Sequence, residues 1–144
     1  MILIDANILL YAYDPSTSHH QAALDWLEEI FSAPEPVGLT WVTLLAFLRI
    51  GTSPRALENP LSVHEASAII AEWLDRPMVT LLNPGERHWE ILRHLMAKGQ
   101  ARGDLIMGAH LGALAIEHGA TLATCDRGFA RFPGLKFFNP LDRP

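Results

Sequence analysis

The chain has 144 residues, of which 49% are hydrophobic and 19% are charged, and this composition excludes a disordered protein. Its net charge of -5 excludes bulk electrostatic attraction to nucleic acid, so any such contact needs a local basic patch or a cation. The single cysteine excludes an intramolecular disulfide, and no apolar stretch reaches the ~20 residues that span a bilayer. We expect one cytoplasmic domain over residues 1–144 that does not bind membranes.

Short apolar runs alternate along the chain with segments of helical periodicity. The predicted strands, in chain order, are 1–4, 37–39, 77–81, 120–124 and an edge strand at 135–138. The predicted helices are 6–13, 19–31, 41–50, 62–74, 84–98 and 104–118, followed by a short turn or helix at 127–131. This alternation predicts an α/β fold of three layers, in which helices flank a central parallel sheet of four to five strands.

Two of the predicted strands are followed by an aspartate. Asp5 directly follows the first strand, and Asp126 follows the fourth after one residue. Because sites in open parallel sheets form beyond the carboxyl ends of the strands, we expect both carboxylates at one edge. At ~4 Å and an effective dielectric of about 20, they would repel by about 4 kcal/mol. Mg²⁺ or Mn²⁺ is the counter-charge that suits carboxylates and waters, so the pattern predicts a divalent-metal site. Asp104, at the start of the sixth helix, is a third candidate ligand.

Each candidate also has a purely structural explanation. Aspartate is a favoured helix N-cap, worth about 1 kcal/mol, and each of the three aspartates precedes a predicted helix or turn. Asn7 and Thr124 lie where they could orient the carboxylates or a metal-bound water. Hydrogen bonding at a helix start would equally explain Asn7, and an ordinary strand position would explain Thr124.

The basic and imidazole side chains add weaker signals. Arg49, Arg102 and Arg127 flank the predicted site and could follow a phosphate backbone, or they could lie on solvated faces. The seven histidines show no zinc-binding spacing, and His110 lies about 120° away from Asp104 around its helix.

Several segments resemble a known family. Asp5-Ala6-Asn7 and the segment 119–129, which contains Asp126, resemble PIN-domain nucleases. The segments 44–50, 59–62 and 130–135 are similar, more narrowly, to VapC-type toxins of type II toxin–antitoxin operons. The resemblance covers nearly the whole chain. It implies a PIN-like domain that uses Mg²⁺ or Mn²⁺ to cleave a structured RNA, such as transfer or ribosomal RNA. It also implies silencing by a VapB-type antitoxin, and a homodimer or a heterotetramer or larger assembly with that antitoxin.

The chain departs from the family's pattern at two positions. Ala46 stands where the family usually has a glutamate, and Gly108 where it usually has an aspartate. Asp104 lies one helical turn, about 5.4 Å, before Gly108 on the same helix face. It could be a ligand, but it could fully replace the missing carboxylate only if the helix shifted. Gly108 and Gly112 could let another backbone approach closely, or Gly108 could be an inactivating change.

Three hypotheses follow. In the first, Asp5, Asp104 and Asp126 surround one or two divalent cations, and a metal-bound water attacks a phosphodiester of RNA. In the second, the chain is a catalytically silent PIN-fold module that binds an antitoxin, RNA or both. In the third, it is a metal-dependent DNA nuclease of related fold.

Two apolar surfaces could serve partners. One surrounds Trp41, Phe47 and Leu48, and the other surrounds Trp73 and Leu74. They exceed what one small domain readily buries, so they could form a dimer seam or a groove for an antitoxin helix. The alternative is that these side chains belong to the core.

Overall fold

A computed structural model describes residues 1–142. Within them the chain forms five strands: Ile2–Ile4 (β1), Val37–Leu39 (β2), Val79–Leu81 (β3), Thr121–Ala123 (β4) and Phe137–Phe138 (β5). Its six α-helices are Ala6–Ala12 (α1), His20–Ser32 (α2), Trp41–Gly51 (α3), Val63–Leu74 (α4), His88–Lys98 (α5) and Leu105–Glu117 (α6). A 3-10 helix spans Arg127–Arg131.

The strands form one parallel sheet in the order β3-β2-β1-β4-β5, which confirms the predicted α/β architecture. β1 lies at the centre, and its residue Ile2 is in register with Val37 of β2 and Thr121 of β4. The backbone N–H of Asp5 continues this pairing by donating to the carbonyl of Ala123 at 2.9 Å. The chain therefore leaves β1 and β4 side by side at the same edge of the sheet.

The side chains of β1 alternate between two helical layers, as the pleat of a strand requires. Ile2 and Ile4 pack into a core formed with α1, α2, α3 and α4. Leu3 packs on the other face, against α5, α6 and the 3-10 helix. Burying each such side chain stabilises the fold by roughly 1.5–3 kcal/mol. The three-layer arrangement thus places residues 1–86 mostly on one side of the molecule and residues 87–142 mostly on the other.

The helix ends show which local signals decided the structure. Ser62 and Glu65 form the expected capping box at the start of α4. Gly119, with a φ of 65°, follows α6 as expected.

The fifth helix was predicted to begin at residue 84, and this was wrong. The carboxylate of Glu117 accepts hydrogen bonds from the backbone N–H groups of Gly85 and Arg87, at 2.8 and 3.0 Å. These bonds hold the preceding segment as a loop, so α5 begins only at His88.

The two predicted partner surfaces divide between core and surface. Phe47 and Trp73 are buried and contact each other, with ring centroids 4.9 Å apart. Their assignment to the core is therefore the correct alternative. Leu48 and Leu74 are partly buried against the same core, whereas Trp41 is 53% exposed. No helix within residues 1–142 combines the length and apolar character needed to cross a membrane.

Candidate active site

Asp5 lies at the junction between β1 and α1, where both of its carboxylate oxygens accept hydrogen bonds. Oδ1 accepts from the backbone N–H of Ala6 at 2.7 Å, so the capping role is real. Oδ2 accepts from the hydroxyl of Thr124 at 2.7 Å. Burial raises the pKa of Asp5, these two hydrogen bonds oppose the rise, and the nearby charge of Asp126 adds to it. The surroundings of Asp5 therefore disfavour the ionised form of its carboxyl group.

Thr124 connects the two acids. Its side chain is 1% exposed and lies just after β4, so it is not an ordinary strand residue. While its hydroxyl donates to Asp5, its Oγ1 accepts from the backbone N–H of Asp126 at 3.0 Å. Asn7 also donates to this oxygen through its side-chain amide at 3.4 Å. Asn7 therefore acts on the carboxylate of Asp5 through Thr124.

Asp126 is exposed at the end of this chain of hydrogen bonds. Its Oδ1 accepts from the backbone N–H of Gly128 at 2.8 Å and so caps the 3-10 helix. Asp5 and Asp126 line one open cavity of about 220 Å³ between β1, α3, α6 and the 3-10 helix. Each aspartate thus caps a helix and also lines the shared cavity. The capping explanation and the metal-ligand explanation of these residues are therefore compatible.

Asp104 lies apart from Asp5. It is exposed immediately before α6, and its side chain makes no capping hydrogen bond. It lines a second cavity, of about 140 Å³, together with Gly108, Asp126 and Arg131. Across residues 1–142, no three acidic, histidine or cysteine side chains lie close enough to share a metal ion. The structure thus brings two of the three predicted acids into one cavity, and the role of Asp104 stays a prediction.

Comparison with known proteins identifies the family. The family model described as "PIN domain" matches residues 2–135. Ribonuclease VapC37 of Mycobacterium tuberculosis is 39% identical over 140 residues, which cover 97% of this chain and 97% of the relative. This chain belongs to the PIN-domain family of VapC ribonucleases.

Solved structures share the PIN fold. A FitAB complex bound to a DNA fragment aligns with a TM-score of 0.71 and 22% identity, covering 100% of this chain and 98% of the other. A toxin–antitoxin complex from Klebsiella pneumoniae aligns with a TM-score of 0.65 and 19% identity, covering 97% and 98% of the two chains. These likenesses support the fold.

Both departures from the VapC pattern lie at the cavity. Ala46 of α3 and Gly108 of α6 line it together with Asp5 and Asp126. A Cβ added at Gly108 would lie 3.7 Å from Phe129 and 3.8 Å from Phe132, which is ordinary contact. The nearest atoms to a Cβ at Gly112 are likewise side chains, at 3.4 Å or more. Within the described chain, no backbone approaches either glycine in a way that would require it. A Cβ at position 108 would make only ordinary contacts, and Gly108 lines both cavities.

The two carboxylates fit a hard divalent cation. Mg²⁺ in proteins is commonly bound by one or two carboxylates, and it keeps several waters or takes substrate phosphates as its other ligands. The cavity of this PIN domain offers two carboxylates, one of which is disfavoured when charged, and an opening to solvent. Burial, and to a smaller extent the charge of Asp126, raise the pKa of Asp5, and a cation between the two carboxylates would offset both effects.

The predicted RNA-binding arginines lie outside the cavity. Arg49, Arg102 and Arg127 are exposed, and none of them forms an ion pair within residues 1–142. Arg131, another arginine that flanks the predicted site in the sequence, lies nearer the acids because it lines the second cavity with Asp104 and Asp126. Its guanidinium donates to the carbonyl of Gly99 at 3.2 Å. Its position five residues after Asp126 was the sequence signal for this placement.

His110 faces away from the acids. Its Nδ1 lies 2.9 Å from Nε2 of His88, which is buried between α5 and α6. Burial and the neighbouring His88 lower the pKa of His110, which favours the neutral ring. The pair therefore packs the helices together and does not take part in the site.

Proposed function

We propose that this chain is the toxin of a type II toxin–antitoxin system, a cytoplasmic single-domain endoribonuclease that uses Mg²⁺ or Mn²⁺ to cleave structured RNA, such as transfer or ribosomal RNA. One observation carries the proposal: Asp5 and Asp126, distant in sequence, share Thr124 and one cavity at the carboxyl edge of a parallel sheet. The match to ribonuclease relatives over nearly the whole chain supports RNA as the substrate.

The residues of the site would divide the work. Asp5 and Asp126 would hold the cation. Asp104, which lines the neighbouring cavity with Asp126 and makes no capping bond, would join them as a third ligand only after a shift of the start of α6, since no three such side chains within residues 1–142 lie close enough to share an ion. Such an ion supplies a nucleophile at neutral pH by lowering the pKa of water, and it offsets charge on the phosphate. Thr124, itself held by Asn7, keeps Asp5 turned toward the cavity.

Cleavage assays test this proposal. The purified chain, Asp5→Ala and the surface control Asp25→Ala are each incubated with Mn²⁺ and with transfer and ribosomal RNA. We expect cleavage by the original chain and by the control only. Equal cleavage by the original chain and Asp5→Ala would remove Asp5 from the mechanism. Adding DNA as competitor separates the ribonuclease from the DNA-nuclease alternative, because a DNA nuclease would degrade the competitor.

The silent-module alternative is favoured by the absence of acids at Ala46 and Gly108, both of which line the cavity. The deciding variant is Gly108→Asp, since position 108 has room for a side chain. Gly108→Asn is the matched control, because it has nearly the same size and no charge. If only Gly108→Asp cleaves RNA, the chain as it stands is the silent form. If the original chain already cleaves, the silent alternative is excluded.

A VapB-type antitoxin is the proposed protein partner, as the toxin–antitoxin complex of similar fold suggests. The helical layer of α1, α2 and α4 contains a cavity of about 230 Å³. Leu24, Phe31 and Trp73 line it together with Glu28, Glu72 and Arg76, and Arg76 is paired with Glu72 at 3.2 Å, which leaves Glu28 as an acid for a partner. This arrangement fits an amphipathic segment that carries apolar anchors and basic residues. Leu24→Lys should abolish co-purification with the antitoxin encoded beside the toxin and leave RNA cleavage unchanged.

We infer a homodimer, alone or within a heterotetramer with the antitoxin. Trp41 and Leu45 project from successive turns of α3 and are 53% and 57% exposed. Met107 of α6, which lines the cavity, is 54% exposed. A second copy would cover this apolar rim around the cavity. Sedimentation should show a dimer that Trp41→Glu dissociates, and a monomeric original chain would contradict the inference.

A further inference from the structure

The acidic net charge of the chain hides an uneven distribution. Residues 1–86 contain three arginines and eleven Asp and Glu, whereas residues 87–142 contain seven Lys and Arg and five Asp and Glu. Since the first group forms the layer of α1–α4 and the second forms the layer of α5 and α6, the two helical faces of the molecule have opposite charge. A polyanion is attracted to the face of α5 and α6.

On that face, α5 presents an exposed aromatic ring next to a cation. Trp89 is 62% exposed, and it lines a shallow groove of about 480 Å³ with Arg93, His94, Ala97 and one acid, Glu90. Trp89, Arg93 and Ala97 are four residues apart in turn, so they follow one line along the helix. An exposed tryptophan beside arginine is the arrangement that stacks an unpaired base and neutralises its phosphate.

The line formed by Trp89, Arg93 and Ala97 runs along α5 toward the end that lies near Asp104 and Asp126. At the start of α5, His88 lies near Glu117 at the end of α6. Past the other end of α5, Gly99 accepts a hydrogen bond from Arg131, which shares a cavity with Asp104 and Asp126. The rise from Trp89 to Lys98 along the helix is about 13 Å. A strand that leaves the acids would therefore meet the end of α5 first and Trp89 last.

The cations along this path are available to phosphates. Arg93, Lys98 and Arg102 are exposed, and none of them forms an ion pair in the part of the chain that the structure describes. Arg76, on the opposite layer, is instead paired with Glu72 at 3.2 Å. Glu90 and His94 lie in the neighbouring row of the helix, which continues to Lys98, so the one acid of the groove is flanked by Arg93 and has a cation two turns further along its own row.

We propose that the α5 face, defined as Trp89, Arg93, Lys98 and Arg102, binds an unpaired segment of RNA next to the cut site, with one base stacked on Trp89. This inference rests on the proposed ribonuclease function and narrows its substrate to a structured RNA that has a single-stranded stretch on one side of the cleaved bond. Fully paired RNA would meet the cations but could not offer a base to the ring.

Binding without cleavage tests the inference. A fluorescent unstructured 12-nucleotide RNA is titrated with the full-length chain in EDTA, and anisotropy gives Kd. We expect Trp89→Ala to weaken binding about 5- to 100-fold, because stacking on an aromatic side chain is worth about 1–3 kcal/mol per base. Trp89→Phe should retain most of the affinity. Arg93→Gln should lower the slope of log K against log salt by about 0.7, whereas the matched control Arg55→Gln should leave it unchanged.

Three outcomes would overturn the inference: Trp89→Ala binds as tightly as the original chain, duplex RNA of equal length binds as tightly as the single strand, or Trp89→Ala dissociates a dimer. The last would show that a second copy covers the α5 face. The assay is independent of catalysis. If the original chain cleaves RNA but Trp89→Ala does not change RNA binding, only the inference about the α5 face is wrong. If RNA binding depends on Trp89 but the original chain does not cleave RNA, only the proposed ribonuclease activity is wrong.

Discussion

The two helical layers of this PIN domain pack on opposite faces of one sheet and differ in charge. The layer of α1–α4 is rich in acids and contains a cavity lined by apolar side chains, two glutamates and Arg76. The layer of α5 and α6 carries unpaired cations and an exposed tryptophan. The sheet between them ends in the cavity of Asp5 and Asp126. One side is suited to a basic protein segment and the other to a polyanion, a division that the net charge of -5 conceals.

The largest effect is expected at the edge where the two layers meet. Asp126→Asn keeps an oxygen that can accept from Gly128 but removes the charge that would hold a cation. We expect RNA cleavage with Mn²⁺ to fall by about 100-fold or more, since the ion is the source of the nucleophile. Initial rates on a labelled RNA measure this. Unchanged rates would place the active centre elsewhere.

The next effect concerns the residue that joins the two acids. Thr124→Val preserves shape and removes the hydroxyl that donates to Asp5. We expect affinity for Mn²⁺ to fall about 10- to 100-fold, as for other groups that orient metal ligands. Calorimetric titration with Mn²⁺ gives the affinity, and Thr124→Ser should restore it. A valine variant that binds Mn²⁺ like the original chain would limit Thr124 to a packing role.

A smaller pair of effects tests the comparison of the layers directly. Lys98→Gln on α5 should weaken binding of unstructured RNA about 3- to 10-fold and leave antitoxin affinity unchanged. Glu28→Gln on α2 should weaken antitoxin binding by a similar factor and leave the affinity for unstructured RNA unchanged. Each change removes one screened surface charge, so the expected effect is about 1 kcal/mol. Anisotropy with labelled RNA and with labelled antitoxin measures both. If either variant weakens both partners alike, the two faces do not have separate roles.

The smallest effect is on stability. Because burial and then Asp126 raise the pKa of Asp5, the folded chain holds this proton more tightly than the unfolded chain. The ionised group therefore destabilises the metal-free fold as pH rises through the raised pKa. Asparagine does not titrate, but with one accepting oxygen it loses one of the two hydrogen bonds that Asp5 makes, so the test compares the pH dependence of Tm. In EDTA, the Tm of Asp5→Asn relative to the original chain should rise by about 4 °C, or about 1 kcal/mol, from a pH below the ordinary pKa to pH 7.

The pH dependence provides the control for this stability effect. Below the ordinary pKa of 3.8, Asp5 is neutral in both the folded and unfolded states, so the gain should vanish. Thermal melts across pH measure the difference. A Tm difference between the variant and the original chain that stays constant with pH would contradict the strain that we assign to this carboxylate.

The sequence alone predicted the sheet and the placement of two acids, because both depend on local patterns. Short apolar runs become buried parallel strands, and Asp5 and Asp126 follow two of them. The start of α5 was missed because it is set by Glu117, which is distant in sequence and accepts from the loop before His88. Local helix propensity carries no information about this contact, because its two partners are about 30 residues apart in the sequence.

Other features required the topology. The sequence shows that acids and bases are unevenly distributed along the chain. Only the topology shows that residues 1–86 cover one side of the sheet, so that this distribution gives two faces of opposite charge. The apolar helix α3 has no clear periodicity, so the sequence could not tell the buried Phe47 from the exposed Trp41. Asp104 shares a helix face with Gly108, but the turn between them takes it into a different cavity from Asp5. This separation agrees with the one-turn offset that helical spacing predicted, and only the topology shows that the offset takes Asp104 out of the cavity of Asp5.

We propose that Asp5 and Asp126 form one cation site. A crystal structure grown with Mn²⁺, in which anomalous scattering locates the ion, tests this proposal. We expect a peak between the two carboxylates, with an oxygen of each about 2 Å from it. A peak bound elsewhere on the chain, with Asp5 and Asp126 left without an ion, would contradict it.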